Sequence, residues 1–225
     1  FIIAPGVTVT LKGITFVNAN ATVMPDGTTP AGHGGSIFTK GVVHIDNCIF
    51  RDNTATNANG GAVFINGFGS TITNSYFENN RAIKNPNNMQ TGVGGSVFLN
   101  ASNVTIKHSQ FISNWAGMNG GGVGSSANRI ENCTITNCTF TSNIANGSAG
   151  GVGMQSRNFV ISNSTFRYNE AKGSYAVNPD HPGNGGAMVM RGWDSYAYNC
   201  TFINNTASNH GGAAFSTNTT YNPLN

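Results

Sequence analysis

Eight carboxylates are the groups best suited to do chemistry in this chain of 225 residues: Asp26, Asp46, Asp52, Glu78, Glu131, Glu170, Asp180 and Asp194. A pair facing one cleft about 5–10 Å apart would suit glycoside hydrolysis. A cluster holding calcium beside a basic catalyst would suit elimination from an acidic polysaccharide. The chain's 5 His and 4 Cys supply other candidate ligands, but no spacing fits zinc, because Cys133-x4-Cys138 lacks a second pair. Outward-facing Trp115 and Trp193 would stack on sugars or partner surfaces. Which of these groups meet depends on the frame that carries them.

That frame is a repeat. Phe-x-x-Asn-x-Ala starts at Phe50, Phe77, Phe111, Phe140, Phe166 and Phe202, and at Phe16 with Ala19 in place of Asn. A Gly-Gly pair follows each copy, at Gly34, Gly60, Gly94, Gly121, Gly150, Gly185 and Gly211 and the residue after each. From the second Gly to the next Phe the spacing is 15 to 18 residues, whereas from Phe to the second Gly it is 10 or 11 in four repeats and 18 to 20 in three. One constant segment and one place that tolerates insertion are the mark of a solenoid. The constant segment alternates with period 2, as in Val43, Ile45, a turn, then Cys48 and Phe50, which predicts short strands with one buried face. We therefore expect an all-β, single-stranded, right-handed parallel β-helix of about seven rungs, each with three short strands, stacked at about 4.8 Å.

Stacking turns each repeated residue into a column. The Phe column becomes a buried aromatic stack. Asn53, Asn80, Asn114, Asn143, Asn169 and Asn205 become a ladder of side-chain amides at a bend. A second ladder is expected three residues before each Phe, at Asn47, Asn74, Asn137, Asn163 and Asn199, with Gly13 and His108 as exceptions. Asn also tolerates the left-handed backbone that a corner needs, and the double Gly allows another sharp corner.

In this frame the acids do not pair with one another on adjacent rungs; Asp46 aligns with Lys12 and Glu78 with Arg51, as cross-strand charge matches. Cys48, Cys138 and Cys200 share a column on rungs two, five and seven, too far apart to bridge at one rung per 4.8 Å. All four Cys are expected free, as small core residues. The net charge of +3 comes from scattered Lys and Arg, with no basic stripe for a phosphate backbone, so no nucleic-acid partner is expected. No apolar run approaches the ~20 residues of a membrane span. No metal and no cofactor are expected. Among the Asn-x-Ser/Thr sequons, Asn20, Asn100 and Asn146 are glycosylation candidates, while Asn137, Asn163 and Asn199 are expected to be closed off by the ladder.

Phe-x-x-Asn combined with "GGAVF" and "FENN" resembles the repeats of chlamydial polymorphic membrane proteins, and "NCTFINNTA" resembles methanogen adhesin-like surface proteins. The "GGVG" segments depart from it, with Val123 and Val152 where Ala or Ser is usual. The resemblance implies an extracellular, cell-surface β-helix without enzymatic activity. Residues 1–225 are expected to form one such domain, part of a longer surface protein. The expected function is a non-catalytic adhesin or stalk module that presents loops for binding host or neighbouring-cell glycans or proteins, with end-to-end self-association as a further partner. The alternatives are a pectinase-like polysaccharide lyase or hydrolase and a purely structural surface or filament spacer. Insertions in rungs one, three and six project from one edge, so a trough is expected over the short rung two, with Asn57, Ala58 and Asn59 as its floor and Arg81 and Trp115 beside it. Asn57, Asn59, Arg81, Trp115 and Trp193 are thus the candidate binding residues.

Overall fold

The computed structural model describes residues 1–22, 32–88, 90–125, 130–173 and 182–217. Strands in these residues pair in parallel and form four stacked sheets, one of 8 strands and three of 7, with no helix among the described residues. Rung four shows the unit: Thr105–Lys107, Gln110–Ile112, Trp115–Ala116 and Val123–Gly124 lie in the second, third, fourth and first sheets. The architecture is the expected parallel β-helix.

Each rung has four strands rather than three. The extra corner comes from left-handed backbone two residues after each Phe, at Asn18, Asp52, Asn79, Ser113, Ser142, Tyr168 and Asn204, with φ between 50° and 57°. This single residue turns the chain between the third and fourth sheets. The next residue is the ladder Asn, whose side chain holds the turn.

The Phe column is continuous from Phe16 to Phe202, with ring centroids 4.7–5.1 Å apart and planes within 10° of parallel. Phe50, Phe77, Phe111, Phe140 and Phe166 are fully buried, each contributing about 1.5–3 kcal/mol of apolar burial. Beside them runs the amide ladder. Asn53 Nδ2 donates to Asn80 Oδ1 at 2.9 Å, and the same bond recurs at 2.9–3.0 Å up to Asn205. Each Nδ2 also donates to the Phe carbonyl of the rung below, as Asn143 Nδ2 does to Phe111 O at 2.9 Å. Each Oδ1 also accepts a backbone N–H, as Asn143 Oδ1 does from Asn114 N at 3.0 Å. The buried amides are therefore saturated.

The second column is not an amide ladder. Asn47, Asn74, Asn137, Asn163 and Asn199 all have φ near 50° and exposed side chains, with His108 and Gly13 in the same conformation. Their function is the backbone turn, and the Asn74 amide donates to Asp46 Oδ1 at 2.9 Å rather than to a neighbouring Asn. The side-chain ladder at this corner lies one residue on. Ser75 Oγ accepts from Cys48 N at 3.1 Å and Ser109 Oγ from Ser75 N at 3.1 Å, while Ser164 Oγ accepts from Cys138 N at 3.1 Å. Cysteine substitutes for serine here because each Sγ–H bonds the carbonyl two residues back, Cys138 to Thr136 O at 3.3 Å as Ser164 does to Ser162 O at 2.7 Å. All four Cys are free.

The Gly-Gly corner also runs in a different frame in two rungs. Register pairs Val123 with Val97 and Val152 with Val123. The equivalent corners are therefore Gly120-Gly121 and Ala149-Gly150, and Val123 and Val152 keep their place in the core. Gly122 and Gly151, not the valines, replace the small Ala62 or Ser96. The second glycine of the corner is required in the first six rungs, because a methyl on Gly61 or Gly95, for example, would strike the carbonyl of Gly95 or Gly121 on the next rung.

Candidate functional site

A third polar column runs beside the glycine corner. Asn59 N donates to His33 Nδ1 at 3.1 Å, Val93 N to Asn59 Oδ1 at 2.9 Å and Ser148 N to Asn119 Oδ1 at 2.8 Å. Above these, Asn184 N donates to Ser148 Oγ at 3.1 Å and His210 N to Asn184 Oδ1 at 3.2 Å. Burial holds the His33 imidazole below its usual pKa, which keeps Nδ1 an acceptor. The His, Asn or Ser just before a glycine corner thus caps the backbone of the rung above, whereas Val93, in the same column, has no side-chain acceptor with which to do so. Sequence periodicity hides this column because three residue types share the task and Val93 interrupts it.

The column explains why the expected trough has no open floor. Ala58 is fully buried and Asn59 is 5% exposed. The Asn59 amide is consumed by the rung-three insertion, with Nδ2 donating to Gln90 O at 3.0 Å and Oδ1 accepting from Val93 N. Asn59 is a fastener for that loop, and Asn57, half-buried with φ 60°, turns the chain before it. Around Met89, which lies outside the described residues, the loop is tied to itself: Asn85 N donates to Thr91 Oγ1 at 2.7 Å and Gln90 N to Asn88 Oδ1 at 2.9 Å.

The open space lies on the other side of this loop. A cleft of about 250 Å³ spans the short rungs four and five, between Gln90 of the rung-three insertion and Val189 and Arg191 of rung six. Its floor includes Met118, Asn119, Ser148 and Ala149 from the two corners. Why it opens here is legible in the outward column of the first sheet. Phe38, Phe64 and Phe98 stack there with centroids 5.0–5.2 Å apart, and in the next two rungs the column reads Gly124 and Gly153. The aromatic wall stops, the corners of rungs four and five close in over the glycines, and Ala149 Cβ lies 3.0 Å from where a Gly153 side chain would begin. Two consecutive short rungs between long ones were the available sequence signal. Ser125, Gln155 and Arg191 bring hydroxyl, amide and guanidinium groups to the cleft, and Met118 and Val189 bring apolar wall. Such a mixture suits a small polar ligand, and no Asp, Glu, His or Cys lines the cleft among the described residues.

The other candidates fall in separate places. Arg81 and Trp115 are brought together on the outward face of the fourth sheet, the guanidinium 5.0 Å from the indole centroid. Trp193 lies elsewhere, under Arg157 at 5.2 Å, in a shallow depression of about 570 Å³ with Asn158, Asp194 and Ser216. Of the acids, Asp26 and Asp180 lie outside the described residues. Asp46 meets Lys12 at 3.2 Å and Glu78 meets Arg51 at 2.7 Å, as register predicts, and Glu170 meets Lys172 at 3.3 Å. Asn74 and Thr73, then Lys12, hold the Asp46 carboxyl below its usual pKa. Among the described residues no three His, Cys, Asp or Glu are placed to hold a metal.

The glycosylation candidates differ in access. Asn146 is exposed, Asn20 Oδ1 accepts from Thr56 Oγ1 at 3.2 Å, and Asn100, half-buried, donates to Asn66 Oδ1 at 3.0 Å. Asn137, Asn163 and Asn199 are exposed, so no ladder closes them off.

Residues 3–178 match the family model described as the right handed beta helix region. Residues 199–217, the last rung, match the Chlamydia polymorphic membrane protein repeat. No curated protein and no solved structure matches the chain.

Proposed function

The chain belongs to the right-handed β-helix family, and from that premise we propose that it is a non-catalytic binding module displayed at a cell surface, which holds a saccharide unit of a neighbouring cell's glycans in the cleft over rungs four and five. The observation that carries this reading is the cleft itself. It sits where the insertions and the aromatic column both give way, on a scaffold whose ladders are otherwise saturated, and rigid support of that kind suits binding. Its volume suits one sugar ring rather than a polymer groove. The polymorphic membrane protein repeat in the last rung supports the surface location. The ion pairs of Asp46, Glu78 and Glu170 support a role without acid–base catalysis.

A glycan array probed with the wild-type chain and with Val189→Phe tests this. Phe already occupies that column at Phe38, Phe64, Phe98 and Phe215, so the substitution fills the cleft with the rungs intact. Glycan and cell retention by wild type, lost in Val189→Phe at an unchanged melting temperature, is the expected result. Retention that survives the plug would move the site elsewhere. Release of unsaturated, ultraviolet-absorbing sugar from pectin would favour the lyase, and neither binding nor release would favour the spacer.

A further inference from the structure

We propose that the outward face of the fourth sheet is a second docking surface, specific for a protein whose contact patch is apolar at its centre and acidic at its rim. At the ends of the rod this column is small and polar, as Asn20, Thr54 and Thr206, but in the middle it reads Arg81, Trp115, Ile144 and Glu170. Ile83 and Lys84 continue from Arg81, and Lys172 follows Glu170. None of these side chains belongs to the core or to a ladder. Trp115, Ile83 and Ile144 are half-buried, while Arg81 and Lys172 are exposed. An outward strand position needs no indole, and an apolar centre ringed by charge is the anatomy of a protein interface, with Trp and Arg its usual anchors.

Two observations choose the partner. Arg81 lies over the indole at 5.0 Å, so a cation already takes the ring face on which a sugar would stack; the aliphatic Ile83 and Ile144 beside it suit side chains. The charge is also one-sided. Arg81 and Lys84 stand in none of the three ion pairs among the described residues, and the single acid of the strip, Glu170, is held by Lys172 at 3.3 Å. Carboxylates arriving at the rim meet Arg81 as a planar fork. The strip is firm on its open side, because the start of the rung-three loop packs against it: Lys84 N is 2.7 Å from where a Gly117 side chain would begin.

The test uses the whole chain. A phage-displayed random peptide library is selected on immobilised wild type and depleted on Trp115→Ala. The best synthetic peptide is then titrated against wild type, Arg81→Ala, Arg81→Glu and Val189→Phe at low and high salt, with heparin as a polyanionic glycan control. Enriched peptides should combine Asp or Glu with aliphatic or aromatic residues. Affinity should fall at least about tenfold in Trp115→Ala and Arg81→Ala and further in Arg81→Glu, and weaken with salt, while Val189→Phe binds like wild type. Melting curves of the Trp115 and Arg81 variants should match wild type, since neither side chain is in the core, and Val189→Phe should match because its strand partner in the next rung is already Phe215. Failure to enrich any sequence over Trp115→Ala, enrichment of neutral or basic peptides, or equal affinity for the Arg81 variants would overturn the proposal. Heparin retention lost in the same variants would assign the strip to acidic glycan instead. Loss of peptide binding in Val189→Phe would place the peptide in the cleft and refute this surface, while the glycan array decides the saccharide reading on its own.

Discussion

Two columns of asparagine run the length of this rod, one three residues after each Phe and the other three residues before it, and they do different work. In the first, Asn143 is fully buried and its amide makes four hydrogen bonds. In the second, Asn137 is exposed with φ 54°, and its worth is the turn. Asparagine recurs in both because it is the residue that combines a two-donor, two-acceptor side chain with tolerance of left-handed backbone. Periodicity alone therefore marks a position as constrained without saying whether side chain or backbone carries the constraint. The tie-breaker is what replaces it. The exposed column accepts His108 and Gly13, which share only the backbone state, while the buried column accepts only Ala19, at the first rung. There Ala19 N still donates to Asn53 Oδ1 at 3.0 Å.

The most direct way to break the comparison is a matched pair of substitutions. Asn143→Ala should cost about 3–5 kcal/mol, since Asn114, Asn169 and Phe111 each keep a buried polar group without its partner. Asn137→Gly should fall within about 0.5 kcal/mol of wild type, because glycine adopts the same φ. Asn119→Ala should fall between them, at about 1–2 kcal/mol, since it strands one buried backbone N–H, that of Ser148. Chemical denaturation of the three variants reads all of this. Equal losses for Asn143→Ala and Asn137→Gly would mean that the amide ladder is not what stabilises the bend.

The residue after Asn137 sharpens the contrast, because exposure reverses within one step of the chain. Burial pushes the Cys138 thiol up to about 11, and burial does the same to Cys133. Folded-state values raised above the ordinary 9.0 mean that the fold favours the protonated thiols. Their contribution is complete below pH about 9 and is lost as pH rises through about 11. Each thiol accounts for on the order of 2 kcal/mol over that window. Stability of wild type should therefore decline between these limits, and a Cys133→Ser, Cys138→Ser double variant should show a flatter alkaline limb. Parallel limbs would mean that the thiols are solvated.

Much of the fold is legible in the sequence. Phe spacing fixed the rung number and the register, down to Lys12 beside Asp46 and Arg51 beside Glu78. What escaped was anything whose residue type varies along a column. The His-Asn-Ser column at the glycine corner is one such case, and the Ser-Cys column is another. The slide of the glycine frame in "NGGG" and "SAGG" is a third, since three small residues in a row leave two alignments open until strand register chooses. The cleft was missed for a related reason. Insertion lengths pointed to a trough over the short rung two, but the cleft lies on the other side of the rung-three loop, a choice made by Asn59, which buries its own rung under that loop, and by Gly124 and Gly153, whose significance lies in the rings they lack.

The smallest gain expected of any substitution returns to left-handed backbone at a place where it is not free. Every glycine corner begins with a residue at φ between 64° and 70°, and in six rungs it is Gly. In rung five it is Ala149, at φ 65°, where a β-carbon costs roughly 1–2 kcal/mol. Asn137 has the side chain to tolerate such a φ; Ala149 has none. Its methyl is fully buried on the cleft floor and touches the space above Gly153. Strain of this kind persists where something beyond stability keeps it. Ala149→Gly should therefore raise stability by about 0.5–1 kcal/mol, the strain relieved being partly offset by the freer unfolded chain. The same change should weaken retention on the glycan array, because it removes the wall between the cleft and the first sheet. A gain in stability with binding unchanged would leave Ala149 a tolerated accident of the repeat, and a loss of stability would mean that the buried methyl outweighs its φ.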